Sequence, residues 1–186
     1  LDTRRRSALE LQKALSLWMG DLRFSVETYG THGRPGQCQA FLCVSFSVLE
    51  HKLSQAVELV LEILCETTIT SGKLRELLRQ ARAGQEQAIL SAGQNTGLLR
   101  IAAGCSTEGV IRECTGGYTY LLYLKRLEEQ MNKCGETIAA QLDVLRNRAF
   151  QRGLLTASIT GGQKADSALE HIIHALPGSQ PRKLSC

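Results

Sequence analysis

At 186 residues the chain has the length of one ordinary domain, able to bury roughly 70% of its extended surface without a disulfide or metal to hold a core. Apolar residues make up 43% and charged residues 22%, which are globular values, and no apolar run approaches the roughly 20 residues that span a bilayer. The formal charge of +4 is spread along the chain and aromatic residues are only 5%, which argues against nucleic acid as a partner.

Arg4-Arg5-Arg6 near the start is not followed by an apolar core or a small-residue cleavage site, so a signal peptide is not expected, and Leu1 reads as an internal residue of a longer chain. The three arginines read as a solvated lead into a helix. Ser7 stands three residues before Glu10 and ahead of Leu11, Leu15 and Trp18, a capping-box arrangement that opens a helix over about 7–19, closed by Gly20. Leu22, Phe24 and Val26 then alternate with Arg23, Ser25 and Glu27, predicting a strand with one buried face. A turn through Gly30, Gly33, Pro35 and Gly36 reverses the chain. In the next strand Cys38, Ala40, Leu42, Val44, Phe46 and Val48 share a face, and the two strands form an antiparallel hairpin.

From Leu49 to about Glu66 the period becomes helical, with Leu53, Ala56, Val57, Val60, Leu61 and Leu64 forming an apolar stripe expected to cover the sheet. Thr70 or Ser71 caps the next helix, whose Leu74, Leu77, Leu78 and Ala81 face inward, while Lys73, Arg75, Glu76, Arg79 and Arg82 read as a solvated face. Between Gly84 and Gly117 the glycines and the candidate caps Asn95 and Ser106 predict broken helices. Two helices follow, Tyr118 to Met131 and Glu136 to Gln151, the second ending on a left-handed Gly153. Leu154 to Thr160 reads as a short strand, Ala165 to Leu176 as a last helix stopped by Pro177 and Gly178, and 179–186 as a disordered tail. The order predicts a single α+β domain over 1–178, with an antiparallel sheet, helices packed on one of its faces and an extra helical segment.

Candidate chemistry is sparse. Glu170-His171-Ile172-Ile173-His174 places two histidines one turn apart, but the zinc peptidase motifs H-E-x-x-H and H-x-x-E-H hold the glutamate between the histidines, and here it lies outside. His32 and His51 lack companions for a triad. The cysteines, at 38, 43, 65, 105, 114, 134 and 186, read as reduced and mostly buried thiols of a cytoplasmic or organelle-matrix protein. Gly116-Gly117-Tyr118 lacks the rest of a phosphate loop and reads as a helix hinge, and Tyr118, Tyr120 and Tyr123 as part of a core or interdomain seam.

Several phrases, taken in order and spacing, resemble the noncatalytic part of the pitrilysin, insulysin and presequence-protease family, in its presequence-protease branch. They are Gly20 to Val26, the strand leading into Ser47 to Leu53, Val57 to Leu64, Leu74 to Gln80, Gly116 to Leu124 and Phe150 to Leu154, and the likeness covers about 7–176. The resemblance implies four similar α+β domains in two halves that close around a peptide, with zinc held in the first domain by H-x-x-E-H and a distant glutamate. This chain has no such motif, so the resemblance is to the third domain. No catalytic, substrate-binding or metal residue carries over, and no cofactor is expected in this chain. Zinc is expected in the catalytic N-terminal half of the same polypeptide, which with peptide substrates is the expected partner, and the fragment by itself is expected to be inactive and able to form a homodimer. The family domain opens with a strand before the first helix that this sequence does not include. Two other readings remain open: an inactive structural subunit of the same fold, and a separate enzyme using Cys105 or Cys114.

Overall fold

The computed structural model describes residues 1–31, 33, 36–162 and 165–176. It is 68% helical with one two-stranded antiparallel sheet, an α+β protein. In chain order the elements are α1 (Ala8–Trp18), β1 (Asp21–Gly30), β2 (Cys38–Ser47), a 3-10 turn at Glu50–Lys52, α2 (Leu53–Glu66), α3 (Ser71–Ser91), α4 (Gly93–Cys105), α5 (Thr107–Gly116), α6 (Tyr118–Ala149), a 3-10 turn at Arg152–Leu154, and α7 (Ala165–Ala175). They divide into two compact units, one of Leu1–Leu22, Ser45–Ile69 and the chain from Ala139 onward, the other of Arg23–Val44 and Thr70–Ile138.

The first unit is organised by α2. Leu53, Ala56, Val57, Leu59 and Val60 are buried along it, α1 and α7 pack on it, and Leu176 just past α7 is buried as well. Each such branched aliphatic side chain contributes roughly 1.5–3 kcal/mol when taken fully out of water. The predicted capping box is formed, since the Ser7 side chain accepts from the Glu10 amide while the Glu10 carboxylate accepts from the Ser7 amide. Helix α1 stops in extended backbone at Met19, not on a left-handed glycine. Gly20 is needed for a different reason: its amide donates to the Ser47 carbonyl at 2.9 Å, and a Cβ there would come within 3.0 Å of the Ser47 hydroxyl. Lys52 closes the same corner by donating to the Leu17 carbonyl at 2.8 Å with its ammonium over the Trp18 ring.

The second unit is built on α3 and the first part of α6, which run antiparallel. Ser71 meets Glu136, Arg75 donates to the Met131 carbonyl, Arg79 and Arg82 pair with Glu128, and Glu86 pairs with Lys125, so positions rising along one helix meet positions falling along the other. Leu78, Leu121, Leu124, Met131 and Ile138 are the buried apolar residues of these two helices in this unit. Arg79 and Arg82 are therefore a charge ladder to α6, a correction to the solvated face read from spacing alone. Helix α6 is bent at Cys134, whose φ of −139° and ψ of 39° leave the helical region where the sequence predicts two helices. Helices α4 and α5 form a hairpin capped by Ser106, which accepts from the Gly109 amide, whereas Asn95 caps nothing and α4 begins after Ala92.

Four further expectations are corrected. Gly153 lies in a 3-10 turn, and among the described residues positive φ occurs only at Gly33 (73°) and Gly36 (90°), both in the turn between β1 and β2. Leu154 to Thr160 is not a strand, although half-buried Leu155, Ala157 and Ile159 alternate with exposed Thr156, Ser158 and Thr160. The period-2 pattern specifies a two-sided extended segment, but a strand also needs a ladder partner, and the sheet consists of β1 and β2 alone among the described residues. The predicted inner face of the hairpin is only partly buried, with Phe24 48%, Val26 46% and Leu42 54% exposed while Leu22, Cys38, Val44 and Phe46 are half-buried. Thr70 occupies the N-cap position of α3 without a side-chain bond to the helix. His32, Pro35, Pro177, Gly178 and the expected tail at 179–186 lie outside the described residues.

Candidate functional site

Two glutamates are buried to 3% exposure, one in each unit, and neither is signalled by the apolar periodicity around it. Glu62 lies on α2, where Glu58, Glu62 and Glu66 recur at i+4 spacing along one side. The chain before α1 folds onto that side. Thr3 forms an isolated antiparallel bridge with Thr67, the Arg4 amide donates to the Glu66 carbonyl at 3.0 Å, and the Thr68 amide donates to the Asp2 carbonyl at 2.8 Å. This brings the Thr3 hydroxyl to the Glu62 carboxylate at 2.5 Å and the Arg6 guanidinium to its other oxygen, while Arg5 donates through Nε to Glu66 at 2.8 Å. A shallow cleft of about 140 Å³ lies beside this cluster, lined by residues that include Arg6, Trp18, Gln55 and Glu62.

The arginines read as a solvated lead are thus two anchors, and the i+4 glutamate repeat was the signal that could have revealed them. Their contributions differ in a way that is measurable. Arg5 is 65% exposed and pairs with the partly exposed Glu66, so Arg5→Ala is expected to leave stability nearly unchanged. Arg6→Ala removes a partner from a buried carboxylate and is expected to cost about 2 kcal/mol. Denaturant midpoints of the two variants check this order.

Glu113 on α5 is the other buried carboxylate. One of its oxygens accepts from the Thr119 amide at 3.0 Å, the Thr119 hydroxyl at 3.1 Å and Arg100 Nη1 at 3.1 Å, while Arg100 also donates to the Thr119 hydroxyl at 2.8 Å. Its other oxygen has no hydrogen-bond partner and packs against Gly117, where a Cβ would lie 1.9 Å away. Burial pushes this carboxyl up, but the Thr119 bonds and the Arg100 charge outweigh burial and hold it below its ordinary value. It is an ionised structural carboxylate that ties α4, α5 and the first turn of α6 together through one oxygen, and an acid so held does not cycle protons near neutrality.

The candidates from sequence do not converge. His171 and His174 are both exposed on α7 with Glu170 outside the pair, His51 is exposed in the turn before α2, and among the described residues no three His, Cys, Asp or Glu side chains are placed to hold a metal. The described residues therefore do not fit a zinc ion. Cys105, Cys114 and Cys134 are exposed thiols, while Cys38, Cys43 and Cys65 are half-buried. Burial pushes the Cys65 thiol up, with Arg146 offsetting this in part. Of the seam tyrosines, Tyr118 and Tyr123 are exposed and Tyr120 is half-buried, while Leu121 and Leu124 beside them are core.

What the surface offers instead is apolar side chains without cover: Leu9 and Leu17 on α1, Tyr29 and Phe41 edge-to-face on the hairpin, and Leu98 and Ile101 on α4. Buried glutamates used as fasteners, together with uncovered apolar faces, are the main features of this α+β region.

The chain belongs to the family described as associated with peptidases of the M16 group, subfamily C, whose model it matches over residues 1–127. That places it with the insulinase-like peptidases as a noncatalytic region linked to them. It is also similar to protein HypA of Clostridium perfringens (strain 13 / Type A), at 24% identity over 156 residues that cover 83% of this chain. The match covers only 16% of that relative's length.

Proposed function

We propose that this chain forms part of the wall of a closing peptide-degrading chamber, as the third domain of a presequence-protease-like zinc peptidase. The observation that carries the reading is membership of a peptidase-associated family by a chain that matches only a sixth of a relative's length. Catalysis then belongs to the N-terminal half of the same polypeptide, where a bound zinc would supply a polarised water and a glutamate would serve as base. The residues of this chain supply confinement. Fasteners such as Glu62 and Glu113 keep the wall rigid, and a closed shell admits flexible peptides while excluding folded proteins. The uncovered apolar faces support this reading, because a wall segment contacts neighbours on several sides. Its unpaired thiols suit a reducing cytoplasm or organelle matrix.

The test is zinc content and peptide hydrolysis of the purified chain, alone and mixed with the segment encoded upstream of it. The expected result is neither zinc nor hydrolysis by the chain alone, and cleavage of unstructured peptides but not of a folded protein by the mixture. Stoichiometric zinc in the isolated chain would overturn the reading, as would a mixture that assembles and stays inactive.

A further inference from the structure

We infer that the outer face of α4 is a docking surface covered by another domain of the same polypeptide, a surface that adds to the chamber-wall reading and rests on it. No residue of α4 is buried. One side of the helix carries Gly97, Leu98, Ile101, Gly104 and Cys105, spaced i, i+1, i+4, i+7 and i+8, with Leu98 64% and Ile101 67% exposed. The helix has one charged side chain, Arg100, and that guanidinium is turned to Glu113 and Thr119. The opposite side is already used, since Thr96, Leu99, Ala102 and Ala103 are half-buried there. The exposed side is therefore a surplus apolar stripe. A Cβ added at Gly97 or Gly104 would meet nothing within 4 Å, so the helix backbone is open to a neighbour on either side of Leu98 and Ile101.

These properties select the occupant. A face without charge has nothing to steer or orient a polar or charged partner that comes and goes, and apolar stripes of this kind belong to permanent interfaces. The chain matches 16% of the length of a relative, so a protein of that organisation carries several further domains in the same polypeptide to cover the stripe. The chemistry of the complementary surface is then an uncharged aliphatic helix or sheet face, with side chains that reach the open backbone at Gly97 and Gly104.

Cys105 sits on this stripe and its thiol is exposed, which supplies a reporter without mutation. The experiment compares the rate of N-ethylmaleimide addition at Cys105, read by peptide mass spectrometry, in the 186-residue chain and in the full-length polypeptide. Cys105 is expected to react at least about tenfold more slowly in the full-length protein. Equal rates would overturn the inference, and so would protection of Cys105 in the 186-residue chain that rises with its concentration in step with dimer formation, because a second copy would then be the occupant. Peptide hydrolysis by the same full-length preparation separates the two claims: activity with an unprotected Cys105 removes only the docking surface, and protection without activity removes only the chamber.

Discussion

Gly109→Ala is expected to lower stability by about 2 kcal/mol, although alanine is the better helix former. Replacing a helical glycine by alanine gains about 1 kcal/mol of propensity. At this position, however, the added Cβ would lie 2.2 Å from the Ala102 carbonyl oxygen and 2.3 Å from its carbon. That carbonyl is the end of α4, held in place by the Ser106 amide at 3.0 Å, and Ser106 in turn accepts from the Gly109 amide at 3.0 Å. The contact is with backbone and the cap fixes both sides of it, so relief requires α4 and α5 to move apart. Overpacking of this kind costs about 3 kcal/mol, which exceeds the gain in propensity. Gly84→Ala is the matched control: it lies within α3, nothing stands within 4 Å of the new Cβ, and a gain of about 1 kcal/mol is expected. Thermal melts of the two variants should move in opposite directions. A Gly109→Ala protein as stable as the Gly84→Ala protein would show that the helices are not in contact there.

Glu113→Gln is expected to cost about 2–3 kcal/mol at neutral pH, in a way that depends on acidity. A hydrogen bond to a charged group contributes about 1.5–3 kcal/mol, and the glutamine would meet the Thr119 and Arg100 donors only as a neutral acceptor. Arg100 is 61% exposed and regains water when released, so the full cost of breaking a buried ion pair does not apply. The folded carboxyl is held below its ordinary value, so its contribution is fully present above the unfolded value of about 4.3 and is lost as pH falls through the lower folded value. The difference in unfolding free energy between the native protein and Glu113→Gln should therefore be constant from pH 7 to about pH 5 and shrink below about pH 4. A difference independent of pH down to about pH 3 would mean that the carboxylate charge contributes nothing.

These two positions also mark where the sequence is legible. Local rules succeed wherever a short stretch decides its own structure. Ser7 with Glu10 forms the capping box, Ser106 ends one helix and starts another, the stripe from Leu53 to Val60 is core, and α7 spans Ala165–Ala175. They fail where a partner far along the chain decides. Leu154 to Thr160 has the pattern of a strand without a ladder, and Arg79 and Arg82 look solvated until α6 brings Glu128 to them. Glu62 and Glu113 carry no local sign of burial, since a glutamate is taken out of water only by contacts such as Thr3 and Thr119 supply. A zinc-peptidase motif stands at the other extreme, because its short spacing within one helix can be read from the letters alone.

The antiparallel register of α3 and α6 means that the chain leaves Ser71, passes through α3, α4 and α5, and returns along α6 to Glu136, which Ser71 meets. The first and last residues of that long excursion are neighbours. In such a layout, lengthening or shortening the far end, where α4 and α5 turn back, displaces neither terminus of the excursion. The frame at Ser71 and Glu136 is thus set by α3 and α6, not by the α4–α5 hairpin between them.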